Sequence, residues 1–199
     1  MLLPYLVPKR LEAGCDEAGR GCLAGPVVAA AVILPQHNPI PALNDSKKLN
    51  EKQREALRPL IEEKALAWAV AFIWPEEIDR INILQASFNA MHEAVNQLII
   101  KPEHLLIDGN RFKAFEGIEH TCIIKGDGKM ASIAAASILA KTARDAYMDE
   151  LAQAFPVYAW MQNKGYPTIK HRKAIAAHGL TIHHRKSFNC LPEQLNLSF

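Results

Sequence analysis

The chain has 199 residues, 49% of them hydrophobic, and a formal net charge of +2, which suits one domain with a full hydrophobic core and requires no second domain. Its longest apolar run, Leu23 to Pro35, is too short for a transmembrane helix and carries Pro26 near its start. The first ten residues lack the positive start and small-residue cleavage site of a secretory signal, so a cytoplasmic protein is expected.

The first element is a short apolar segment ending in Asp16-Glu17-Ala18-Gly19-Arg20-Gly21. Adjacent side chains on a strand point to opposite faces, so Asp16 and Glu17 can serve one site only where the strand ends and the backbone turns. Gly19 and Gly21 let the backbone approach a ligand closely, and Arg20 between them can reach a phosphate oxygen or a sugar edge. Val27 to Leu34 reads as the next strand, and a third is expected at Ala67 to Trp74. Between them Asn50 and Gln53 form a capping pair that opens a helix from Glu51 to about Lys64. A further helix is expected from about Ile83 to Leu98, where Leu84, Phe88, Met91 and Val95 recur at helical spacing and read as a core stripe.

Leu105-Leu106-Ile107-Asp108-Gly109 has the form of a buried strand ending in an acid, the edge where open α/β sheets place their chemistry. Thr121 to Lys125 reads as a short strand, and Asp127-Gly128 precedes an alanine-rich helix from about Met130 to Phe155. Three hairpin-connected strands followed by strand-helix units predict an α/β fold with a mixed sheet and helices packed on it. Residues 1–158 are expected to form the core, with 159–199 a basic helical segment and tail packed on it. Cys15, Cys22, Cys122 and Cys190 have no metal-knuckle spacing and read as reduced, mostly buried thiols.

Charge is unevenly distributed. Residues 1–150 hold 17 Lys/Arg against 20 Asp/Glu, whereas Leu151 to Pro192 holds six Lys/Arg, four His and no acid. That is either a solvated basic face or the footprint of a phosphodiester-binding surface. The acids form the complementary signal. Asp16-Glu17, Asp108 and Asp127 each sit at a strand end or a helix start, and if the sheet gathers them, four negative charges must be protonated or bind cations. Hard oxygen donors select Mg²⁺ or Mn²⁺, and two such ions roughly 3.5–4 Å apart are the usual clamp for cleaving a phosphodiester. Asp108 is also explained as a turn residue and Asp127 as a helix N-cap, while Asp145 competes for the fourth position unless an ion pair with Lys141 or Arg144 accounts for it.

With these residues in view, the chain resembles bacterial ribonuclease HII, the type 2 ribonuclease H, over nearly its whole length. The resemblance is carried by Gly14-Cys15-Asp16-Glu17-Ala18-Gly19-Arg20-Gly21, Ala24-Gly25-Pro26-Val27, Asp45-Ser46-Lys47-Lys48-Leu49, Ile81-Asn82-Ile83-Leu84, Ile107-Asp108-Gly109, Lys125-Gly126-Asp127, Ala134 through Lys141, and Lys164-Gly165-Tyr166-Pro167-Thr168 through His171. It implies a ribonuclease H-like fold with a five-stranded mixed sheet. It also implies cleavage of the RNA strand of RNA-DNA hybrids and incision on the 5′ side of a ribonucleotide embedded in duplex DNA, leaving a 3′-hydroxyl and a 5′-phosphate. Asp16, Glu17, Asp108 and Asp127 match the family's metal-site acids. Gly19, Arg20 and Gly21 match the loop that reads the ribose 2′-hydroxyl, and Tyr166 the tyrosine that stacks at the ribonucleotide-deoxyribonucleotide junction. Lys47, Ser137 and Lys141 fall in blocks that lie near the substrate backbone. Ribonuclease HIII, which carries an extra N-terminal substrate-binding domain, and a non-catalytic hybrid-binding module are the alternatives.

His178, His183 and His184 have no partner at a convincing metal-ligand spacing, and His183-His184-Arg185-Lys186 is expected to extend the basic face. The chain ends in Gln194-Leu195-Asn196-Leu197-Ser198-Phe199, an alternating apolar peptide similar to the motif with which bacterial replication proteins bind the sliding clamp.

Overall fold

The computed structural model describes residues 2–37, 40, 42–44 and 46–191, the side chain of Lys47 excepted. Strands β1 (Glu12–Ala18), β2 (Val27–Ile33) and β3 (Ala67–Ile73) form an antiparallel meander. Strands β4 (His104–Asp108) and β5 (Glu119–Ile123) add in parallel on the other side of β1, giving the order β3-β2-β1-β4-β5. The expected mixed sheet of five strands is therefore present, with each expected strand within about two residues of its place.

Side-chain alternation divides this sheet into two faces. Ala13, Cys15, Val27, Ala29, Ala31, Ile33, Leu105 and Ile107 pack beneath α3 (Ile83–Asn96), which contributes Ala86, Ala90, Met91, Ala94 and Val95. The opposite face, including Ala30 and Val32, is covered by α1 (Glu51–Lys64) and the long α4 (Ala131–Ala154). β1 has to lie almost against α4. A Cβ on Gly14 would sit 2.2 Å from the carbonyl carbon of Ser132, so only glycine allows this contact.

The capping pair at the start of α1 forms in both directions, Asn50 Oδ1 accepting from the Gln53 N–H and Gln53 Oε1 from the Asn50 N–H. α4 begins differently. Its N-cap position is Met130, no side chain among the described residues caps it, and the carbonyl of Leu3 accepts the Ala131 N–H instead. The helix N-cap explanation of Asp127 therefore does not hold, since Asp127 lies in a separate 3₁₀ turn, Gly126–Gly128. A short helix α2 (Pro75–Ile81) that periodicity had not revealed opens with Pro75 at its first position. Beyond α4, helices α5 (Trp160–Asn163) and α6 (Ile169–His178) pack around Leu23, Met148, Leu151, Tyr158 and Trp160. Among the described residues no helix is long and apolar enough to cross a membrane.

Candidate active site

Two acids are gathered by strand register alone. β1 and β4 run parallel with Cys15 opposite Ile107, so the next residues along, Asp16 and Asp108, are neighbours. Gly14 and Leu106, two residues earlier, both face α4, and alternation carries Asp16 and Asp108 to that same face. The turn between β5 and α4 adds Asp127, whose neighbour Gly126 donates its N–H to Asp108 Oδ1 at 2.7 Å. One carboxylate oxygen from each of Asp16, Asp108 and Asp127 lies within 4.8 Å of the other two. Asp16 and Asp127 are buried, and Asp108 is half-buried.

Glu17 lies outside this triple. It is turned toward α3, accepts an ion pair from Arg20 at 3.1 Å, and lines, with Asp108, a cavity on each side of the acids. Burial, then the charges of Glu17 and Asp108, push the Asp16 carboxyl well above the usual carboxylate range, against the pull of its hydrogen bonds from Ser137 and from the Glu17 N–H. Ser137 is 2.8 Å from the hydroxyl of Ser46. The two hydroxyls thus link the 3₁₀ turn before α1 to the acid, either one being able to donate to the other. An all-oxygen donor set of like charges in a partly dry pocket suits a hard divalent cation.

The expected substrate-binding residues converge beside these acids. Gly19, Arg20, Gly21, Ser137, Lys141 and Tyr166 line one cavity of about 330 Å³ together with Asp16, Glu17 and Asp108. The Lys47 side chain lies outside the described residues, and Asp127 sits at the acid cluster without lining the cavity. Lys141 pairs with Asp145 at 2.7 Å, so the ion-pair explanation of Asp145 holds. Tyr166 presents its ring to the cavity with Lys141 Nζ 5.6 Å from the ring centre, a cation-π contact.

Two fully buried arginines hold this arrangement, and neither signals itself in the sequence. Arg144 donates from Nε to the carbonyl of Pro26 at 3.0 Å, from Nη1 to Lys164 at 2.8 Å and from Nη2 to Ala24 at 2.9 Å. Arg185 donates from Nε to the carbonyl of Gly25 at 3.0 Å and from Nη1 to that of Arg20 at 2.9 Å, while its Nη2 has no hydrogen-bond partner among the described residues. Gly19, at φ +89°, leaves room for Arg144, since a Cβ there would lie 2.1 Å from Arg144 Nε. Sequence reasoning also missed Ser46 and Arg54, which line the same cavity.

His183-His184-Arg185-Lys186 departs from the expected basic face, because His184 and Arg185 are fully buried. His184 Nδ1 accepts from the Thr181 N–H at 3.0 Å, which places the proton on Nε2, 3.3 Å from His171 Nε2. His171 Nε2 also accepts from Trp160 Nε1 at 2.9 Å, so its Nδ1–H donates to the Tyr166 carbonyl at 2.9 Å. The histidines thus position the aromatic residue. Burial pushes both imidazoles below their ordinary values, His184 to about 4.

The ribonuclease HII family model matches residues 13–190. The chain is 65% identical to the ribonuclease HII of Parabacteroides distasonis over 199 residues, all of both chains. Among solved structures it is similar to the ribonuclease H2 of Pyrococcus horikoshii OT3, with a TM-score of 0.76 and 26% identity over 90% of this chain and 94% of that one. It is also similar to the ribonuclease HII of the Archaeoglobus fulgidus PCNA:RNase HII complex, with a TM-score of 0.73 and 26% identity over 93% of this chain and 98% of that one.

Proposed function

Because the chain belongs to the ribonuclease HII family, we propose that it cleaves the RNA strand of RNA-DNA hybrids and incises duplex DNA on the 5′ side of an embedded ribonucleotide, leaving a 3′-hydroxyl and a 5′-phosphate. The observation that carries the reading is the meeting of the Asp16, Asp108 and Asp127 carboxylates within 4.8 Å, beside a glycine-flanked loop. A protein that only bound hybrids would gain nothing from clustering acids where phosphate must lie.

In this reading Asp16, Glu17, Asp108 and Asp127 hold a pair of divalent ions, Mg²⁺ or Mn²⁺. When bound, such ions neutralise charge at the scissile phosphate and make a coordinated water more acidic. The chain's own residues do the rest. The backbone of Gly19, Arg20 and Gly21 reads the ribose 2′-hydroxyl, the one group that separates RNA from DNA at that sugar. Gly21 suits this contact because no described residue has an atom within 4 Å of where its Cβ would be, which leaves room for the sugar. Tyr166 stacks on the neighbouring nucleotide, Lys141 and Lys47 neutralise backbone phosphate, and Ser137 orients Asp16 through its hydrogen bond. The terminal peptide Gln194 to Phe199, outside the described residues, is assigned to a sliding clamp. The archaeal relative solved with PCNA supports that partner.

The test is a duplex with a single ribonucleotide in one strand, incubated with Mg²⁺ or Mn²⁺ and resolved by size and end chemistry. Wild-type protein should cut once, 5′ of the ribonucleotide. Asp16→Asn should abolish cutting while leaving hybrid binding largely intact, and cleavage retained by the purified variant would overturn the assignment.

A further inference from the structure

A second cavity of about 350 Å³ lies on the far side of the acids, between α3 and the loop that follows β4. Its size falls within the range of ligand clefts, roughly 300–1,000 Å³. Glu17, Arg20 and Asp108 line it as well as the Tyr166 cavity, so the acids form the partition between the two. Leu84, Phe88 and Met91, three members of the helical stripe that reads as core, form its apolar floor, and Asn110 and Arg111 form its rim.

The rim is built, not loose. Phe112, next to Arg111, packs edge-on against Phe88, His92 and His120, with ring centres 6.0, 5.1 and 5.1 Å away. His92 Nε2 is 2.7 Å from the carbonyl of Lys113. These contacts pin the loop to α3 while Arg111 stays exposed, with no ion pair or hydrogen bond among the described residues. Arg20, the other cation of the cavity, is already paired with Glu17.

We propose that this cavity receives the nucleotide on the 5′ side of the scissile phosphate, with Arg111 contacting the phosphate that precedes it. The inference rests on the function proposed above. If the ribose lies against Gly19 to Gly21 and the cut falls on its 5′ side, the phosphate at the acids is that ribose's own 5′-phosphate. The strand must then continue across the partition into the α3 cavity. The chemistry fits a nucleotide whose sugar is not inspected. The floor is apolar, and the one hydroxyl there, that of Ser87, donates to the Ile83 carbonyl at 2.9 Å. Nothing on that floor would distinguish a 2′-hydroxyl from a hydrogen, whereas the uncommitted guanidinium of Arg111 suits a phosphate passing close to an acidic centre.

The experiment compares wild-type protein and Arg111→Ala on two duplexes with one ribonucleotide, one with a long DNA flank 5′ of it and one in which only a single nucleotide remains on that side. Wild-type protein should lose about tenfold in kcat/KM when the flank is removed. Arg111→Ala should show the same loss on the long substrate, no further loss on the short one, and a slope of log KM against log salt smaller by about 1. Equal activity of the two proteins on the long substrate, or an equal loss by the variant on both substrates, would overturn the proposal. If wild-type protein cuts neither duplex with Mg²⁺ or Mn²⁺, the function proposed above fails and this subsite fails with it.

Discussion

Arg144 and Arg185 are both fully buried, and the groups that receive them are carbonyls, five of them across two guanidinium groups. A buried cation is costly unless its donors are met, and lysine could not reach three carbonyls in one plane. The arrangement ties the turn after β1 to the segment carrying Tyr166, so the loop assigned to the ribose and the ring assigned to its neighbour are held by the same side chains. Burial and the charge of Arg144 lower Arg185 to about 10, against the pull of nearby Cys22, which leaves it a cation at neutral pH. His184 makes a pH-dependent contribution whose sign follows from its lowered pKa. The unfolded chain takes up a proton near pH 6.5 and the folded one only near 4, so stability is full above 6.5 and falls as pH drops through that window, by an amount on the order of 3 kcal/mol. Asp16, raised in the folded state by burial, has the opposite sign, being stabilised by acidification. Comparing wild type with His184→Phe removes that background. The denaturation free energy of the variant should depend less steeply on pH between about 6.5 and 4, and parallel profiles would refute the assignment.

At the scale of elements, the site depends on how closely β1 approaches α4. Asp16 reaches Ser137 and stands beside Asp108 because β1 lies against the first turn of that helix, and Gly14 is the residue that permits it. A Cβ at Gly14 would meet backbone atoms of Ser132 and Ile133 at 2.2 and 2.3 Å, which no rotamer change can relieve. Gly14→Ala should therefore cost more than about 3 kcal/mol, read as a lower urea midpoint. Gly21→Ala, at a position with open space and ordinary backbone, should stay within about 1 kcal/mol of wild type. Equal stability of the two variants would mean that β1 and α4 are not packed as described. The strand itself was legible from its apolar run and terminal acids. Its distance from α4 was not, because a glycine inside a strand pattern announces a close approach without saying to what.

At the scale of the molecule, the fold divides the basic stretch of the sequence between interior and surface. Part of the acid-free stretch from Leu151 becomes interior, since His171 and His184 are buried within the aromatic cluster around Tyr158 and Trp160, and Arg185 against the carbonyls of Gly25 and Arg20. Charge counting alone had placed the last two of these in a basic face. The exposed remainder, including Lys170 and Lys186, stays available to the phosphodiester backbone. In the proposed reading the terminal peptide would add a separate means of reaching DNA, because a clamp that already encircles the duplex raises the local concentration of whatever it tethers. In a pull-down with the clamp, the full chain should be retained and a chain lacking Gln194 to Phe199 should not. Equal recovery of both would remove the clamp from the account.

Sequence alone marked the mixed sheet, its five strands, helices α1, α3 and α4, and four acids expected at one place, three of which the fold brings within 4.8 Å of one another, because hydrophobic period, capping chemistry and residues at strand ends are properties of neighbours along the chain. It also marked the glycine-flanked arginine and the tyrosine. Tertiary structure decided what depends on neighbours across the chain. Register between β1 and β4 brought Asp16 beside Asp108, alternation turned Glu17 toward the opposite side, and α3 lent Leu84 and Phe88 to a cavity wall instead of the core. Arg144 and Arg185 became interior clamps for the same reason: whether a guanidinium meets solvent or a ring of carbonyls is set by segments more than a hundred residues away, and no local pattern records that distance.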